Sequence, residues 1–190
     1  MAVDYIPLML VNASAGLTPL AGYVAFGVTL PREQQRDFAP PFAVVGLLAT
    51  IAGLHMALTW PMGEATKIYM SMFGELTVLF GVLFLGAALA LGKGWSLTGV
   101  ALYAVVAALA ALVLAAAVWH FGLTAMPPLT AAGFALSGLG GGLVLPVLRL
   151  RHHRPLRIAV ALILLGAALV WLATALPAYW MHIDLWTRPA

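Results

Sequence analysis

His55, Glu75 and His120 are the residues whose types and placement in this sequence could do chemistry. Each lies inside an apolar run rather than in a loop. His55 is five residues before Trp60, Glu75 seven after Ile68 and His120 three before Leu123. At about 1.5 Å of helical rise per residue, all three would sit roughly 5 to 10 Å inside the same membrane boundary. A carboxylate or imidazole in hydrocarbon costs several kcal/mol unless paired, so an ionisable residue at that depth is a functional hypothesis. Three at matching depth are expected to face a common interior.

The chemistry that such a cluster could support is metal or haem binding. Neutral imidazole is the commonest metal ligand. Two imidazoles and a carboxylate suit iron, zinc or copper, and thioethers shift the preference towards copper, above all Cu(I). Met56 and Met72 lie beside these residues in sequence, and with His182 they form the second choice of ligands. Alternatively, His55 and His120 are axial ligands of a haem b in a slot lined by Trp60, Phe73 and Trp119. Thr59 and Thr124, four residues after each histidine, share its helix face and are placed to orient it. Their recurrence favours haem slightly over copper. Without a metal, the same residues read as a hydrogen-bonded cluster serving protons, a quinone or a transported solute, or as a buried structural pair.

The elements that must position these residues follow from composition. The chain has 190 residues, 64% hydrophobic and 8% charged, against about 25% charged in soluble domains. Its mean hydropathy is +1.05. Apolar runs long enough to cross about 30 Å of hydrocarbon fall near Tyr5–Leu30, Pro41–Trp60, Ile68–Leu91, Leu97–Leu123, Pro128–Leu148 and Leu156–Ala178. The expected fold is an all-α integral membrane bundle of six transmembrane helices over residues 1–178. Residues 179–190 read as an interfacial tail on the outer surface, anchored by its tryptophans and able to bring His182 or Asp184 to the cluster. Asp4 stands where a signal peptide would carry basic residues, so the N-terminus reads as the start of the first span.

Charge orients the bundle. The loops after the first, third and fifth spans carry Arg32, Arg36, Lys93, Arg149, Arg151, Arg154 and Arg157, while the opposite side carries Lys67 and Arg188. The positive-inside rule then places both termini outside. The formal charge of +3 is scattered over short loops, which argues against a nucleic-acid partner. With no cysteine, disulfides, thiolate metal sites and iron–sulfur clusters are excluded.

Two further patterns bear on architecture. His55-Met-Ala-Leu-Thr59-Trp-Pro61 is similar to His120-Phe-Gly-Leu-Thr124-Ala-Met-Pro127, and Ala173-Thr174-Ala-Leu-Pro177 closes the sixth span. This reads as three helical hairpins repeated in one orientation. The first and fifth spans are rich in glycine, which suits close helix packing. The run Gly138 to Gly142 offers a hinge as the sharper alternative.

No nucleophile–base motif, phosphate loop or His-Glu-x-x-His pattern is present, so hydrolysis of a soluble substrate is not expected. Besides a redox cofactor protein, two readings stay open. One is a proton- or cation-coupled small-solute transporter with Glu75 as carrier; the other is a non-catalytic subunit of a larger, respiratory-type membrane assembly or homo-oligomer. Thr59-Trp60-Pro61, Tyr69 and Phe73-Gly74-Glu75, with the size and span count, resemble a family of small prokaryotic membrane proteins called domain of unknown function 981. The resemblance centres on the second and third spans. It implies a prokaryotic inner-membrane location and no particular activity.

Overall fold

A computed structural model describes residues 4–187 of the chain. Arg188, counted above on the outer side, and the side chain of Trp186 lie outside the described residues. The elements are all helical: α1 (Ile6–Ala25), α2 (Arg32–Gln35), α3 (Ala39–Thr59), α4 (Lys67–Lys93), α5 (Thr98–Phe121), α6 (Pro127–Gly142), α7 (Val144–Arg149) and α8 (Arg154–Thr187), with short 3-10 turns between. Six helical segments are long and apolar enough to cross a membrane, α6 and α7 together forming the fifth.

Local chemistry explains the boundaries. Prolines stand in the first turn of α3 and of α6, where the missing N–H removes no helical bond. Gly94 and Gly122 end α4 and α5 with φ of 70° and 61°, the left-handed geometry that closes a helix without a Cβ clash. The glycine run of the fifth span does not break the helix, since Gly138 to Gly142 all stay within α6. The interruption falls at Leu143, because Pro146 has no N–H to give the Gly142 carbonyl. Nor does the sixth span end at Ala178: α8 continues through Pro177 to Thr187. Residues 179–187, expected as the start of a tail, are thus helical and continuous with α8, and residues 188–190 lie outside the described residues.

The long helices pack as a closed ring in chain order, α1, α3, α4, α5, α6 and α8, with α8 returning to α1. His182 Nε2 lies 3.4 Å from Asp4 Oδ2, so the first described residues and the last turns of α8 meet at one face, here the terminal face. The loops rich in arginine form the opposite, arginine face.

The tightest partnerships are α3 with α4, α5 with α6, and α1 with α8. The hairpins expected from the repeat, first with second span and third with fourth, are the loosely packed ones. Small residues decide this. A Cβ on Gly81 would lie 2.6 Å from the Thr50 nitrogen, and one on Gly53 would lie 2.8 Å from the Val78 nitrogen. Gly46, Gly53, Gly74 and Gly81 therefore let the α3 and α4 backbones touch, as small residues do in lipid. Gly138 likewise abuts the Ala108 carbonyl of α5. Between α1 and α8, the Ser14 hydroxyl reaches the Ala168 carbonyl at 2.8 Å.

Candidate functional site

Among the described residues, His55, Glu75 and His120 do not form a metal-holding group of three. His55 is exposed on α3, its ring edge-on to Tyr5 at 5.4 Å between centroids. Its Nδ1 lies 3.4 Å from Thr59 Oγ1, so that threonine does sit beside the imidazole. His120 is exposed near the end of α5, against the ring of its neighbour Phe121. Thr124 turns away from it and bonds Thr130. Glu75 is exposed on α4. Since α4 stands between α3 and α5 in the ring, the two histidines belong to helices that are not neighbours. Among the described residues, no three imidazole or carboxylate groups come together as metal ligands.

The physical reason is helical phase. Glu75 follows Gly74, which faces α3, and one residue turns a helix by about 100°. His55 is two residues past Gly53, which faces α4, and is swung away from it. His120 is two past Val118, which is fully buried, and so points outward. The second-choice ligands scatter too. Met56 is fully buried and Met72 partly so, while His182 pairs with Asp4. Of the expected haem-slot aromatics, Trp119 is exposed and Trp60 lies under the Lys67 ammonium, 3.8 Å from its ring centroid. Only Phe73 borders an interior space.

That space is a half-enclosed cavity of about 180 Å³ between α1, α4, α5 and α6. It arises because α4 packs mainly on α3, and α5 mainly on α6, which leaves these consecutive helices parted. Its walls differ in bulk. Phenylalanines and leucines line the α4 side, while Ala101, Ala104, Ala108 and Ala111 on α5 and Gly138 and Gly141 on α6 line the other. It is a tall slot. Met9 to Tyr23 on α1, Phe73 to Ala87 on α4 and Leu97 to Ala111 at α5 are each fourteen positions apart, about 21 Å of helix.

Apart from Thr77, the polar side chains on the wall are engaged by protein among the described residues. Asn12 Nδ2 donates to the Val45 carbonyl at 3.0 Å, Trp171 Nε1 to Ser137 Oγ at 2.9 Å, and the Tyr23 hydroxyl to Gln35 Oε1 at 2.9 Å. What the slot presents is therefore apolar. The sequence signal that could have located it is the run of alanines at helical spacing on α5, facing the bulky stripe of α4.

The segment between α1 and α3 runs along the arginine face, where Gln35 bonds the slot-lining Tyr23, and is tied down on both sides. Arg157 Nη1 donates to Thr29 Oγ1 at 3.1 Å, and Arg32 Nη1 donates to the Gly94 carbonyl at 3.0 Å. Arg36 Nη2 approaches the same glycine. Leu97, three residues on from Gly94, lines the slot, so the Arg32 and Arg36 guanidinium groups stand near its arginine end.

No curated protein and no solved structure matches the chain. The family model described as protein of unknown function, DUF981, matches residues 1–185, and the chain belongs to that family.

Proposed function

We propose that this protein binds one slender apolar molecule, an acyl or isoprenyl chain, within the bilayer, with the arginine face cytoplasmic and both termini outside a prokaryotic inner membrane. The slot carries this reading. Its volume of about 180 Å³ exceeds the roughly 150 Å³ in which an apolar cavity takes up benzene. It falls short of the roughly 300 to 1,000 Å³ of sites for bulkier ligands. A long, narrow apolar space suits a hydrocarbon chain better than a ring system such as haem. The one titratable side chain on its wall is Tyr23, which favours binding over acid–base chemistry there. The haem or copper reading of His55, Glu75 and His120 would need these side chains to be gathered by a partner protein or a second copy.

Gly141 provides the test, because it lines the slot and a Cβ there meets nothing within 4 Å. Gly141→Phe should fill the space without displacing backbone. Protein purified from its native membrane should yield a stoichiometric chain-bearing molecule on solvent extraction and mass spectrometry, and the variant at least about tenfold less, a loss of about 1.4 kcal/mol. Equal recovery from both proteins would mean that the slot is not the binding site.

A further inference from the structure

We infer that the occupant of the slot is an anionic, phosphate-bearing lipid whose head is held at the arginine face by Arg32, Arg36 and Arg157. The inference rests on the slot reading and adds the chemistry of the head group. Excess positive charge on one side of a membrane protein needs no ligand to explain it. Three observations go beyond that excess.

The first is placement. Arg32 and Arg36 come from successive turns of one segment and both reach Gly94, whose loop leads into the slot wall at Leu97. Arg157 comes from α8 but is fastened to Thr29 of that same segment. Guanidinium groups from two distant parts of the chain are thereby fastened to one segment on the arginine face, two of them near the end of an apolar slot about 21 Å tall.

The second is their lack of anionic partners. Glu33 and Asp37 are sequence neighbours of Arg32 and Arg36, yet neither forms an ion pair with them among the described residues. Arg32 donates to a carbonyl and Arg157 to a hydroxyl, which satisfies part of those two forks and leaves the charge uncompensated. Planar guanidinium forks match phosphate oxygens in geometry as well as charge.

The third is an orphan donor. Arg157 Nε is buried and has no hydrogen-bond acceptor among the described residues. A buried N–H without an acceptor is rare and calls for an explanation. A phosphate oxygen entering from the head-group layer would accept from it and compensate the guanidinium charge. Basic pockets between transmembrane helices on the cytoplasmic side are a recurrent setting for such head groups.

The experiment is native mass spectrometry of the intact detergent-solubilised protein, titrated with phosphatidylglycerol, with phosphatidylcholine of identical chains and with inorganic phosphate. Wild type is expected to bind phosphatidylglycerol about tenfold more tightly than phosphatidylcholine, consistent with two or more arginines near one head group. Arg32→Gln with Arg36→Gln should cut that preference to about twofold while leaving phosphatidylcholine binding unchanged. Arg157→Lys, which keeps the charge and removes Nε, should lower it too; unchanged thermal unfolding would confirm that each variant folds. Gly141→Phe should weaken both lipids equally.

The outcomes separate the two claims. Equal affinity of wild type for both lipids, with both still weakened by Gly141→Phe, would overturn the anionic head and leave the slot reading standing. Preference retained in all the arginine variants would overturn the assignment of these residues. Lipid binding indifferent to Gly141→Phe would overturn the slot reading itself. Competition by inorganic phosphate at millimolar concentration would identify a free anion, not a lipid, as the species recognised.

Discussion

Ser14 illustrates what a single polar side chain does in this bundle. Its hydroxyl lies 3.0 Å from the Leu10 carbonyl one turn back and 2.8 Å from the Ala168 carbonyl of α8. One O–H thereby serves its own helix and the neighbour that closes the ring. Hydrogen bonds between helices in lipid contribute modestly, about 0.6 kcal/mol on average. Ser14→Ala is expected to destabilise by about 0.5 to 1.5 kcal/mol, measured as a fall in the unfolding midpoint in mild detergent. A midpoint above wild type would show that this bond is not what joins α1 to α8. Glu75 lies at the other extreme of polarity. It shares an outward stripe on α4 with Ile68, Val82 and Leu89, all exposed, so its carboxyl faces lipid or a neighbouring protein and not the interior of its own ring.

Among elements, α3 and α4 are the most closely packed neighbours in the ring and α4 with α5 the least. The difference traces to side-chain size. Where α3 meets α4, glycine faces backbone; where α4 faces α5, phenylalanine and leucine on one side meet alanine on the other across open space. Gly81→Val should therefore be severely destabilising. A Cβ there would collide with the Thr50 nitrogen and with the Gly46 carbonyl at 2.9 Å, and overpacking of this kind costs about 1 to 3 kcal/mol or more. Gly92→Ala, on the same helix with nothing within 4 Å of the added carbon, should be neutral or gain up to about 1 kcal/mol. Thermal unfolding of the two variants side by side tests the contrast; similar midpoints would rule out close backbone packing of α3 on α4.

At the scale of the whole molecule, a ring closed by α1 and α8 brings Asp4 and the last turns of α8 together at one face and leaves Arg32, Arg36, Arg149, Arg151, Arg154 and Arg157 at the other. If that distribution orients the protein as the positive-inside rule requires, Glu64→Cys should label with a membrane-impermeant thiol reagent in intact cells and His153→Cys should not. The chain has no native cysteine, so each variant reports a single position. Labelling of both from outside would show that the charge distribution does not orient the bundle as proposed.

Sequence alone determined the helical segments long and apolar enough to span a membrane and the loops in which Arg32, Arg36, Arg149, Arg151, Arg154 and Arg157 gather. Each depends on hydropathy and charge along the chain, which are linear properties. The same was true of the family, legible in Thr59-Trp60-Pro61 and Phe73-Gly74-Glu75. What tertiary structure decided was azimuth. Depth follows from counting residues, but the direction in which a helix turns each side chain depends on which face its neighbour covers. Gly53 and Gly74 face each other where α3 meets α4, so His55 and Glu75 are turned outward, and α4 is held back from α5. The separation of the expected ligands and the opening of an apolar slot thus arise together from where small residues allow two backbones to touch.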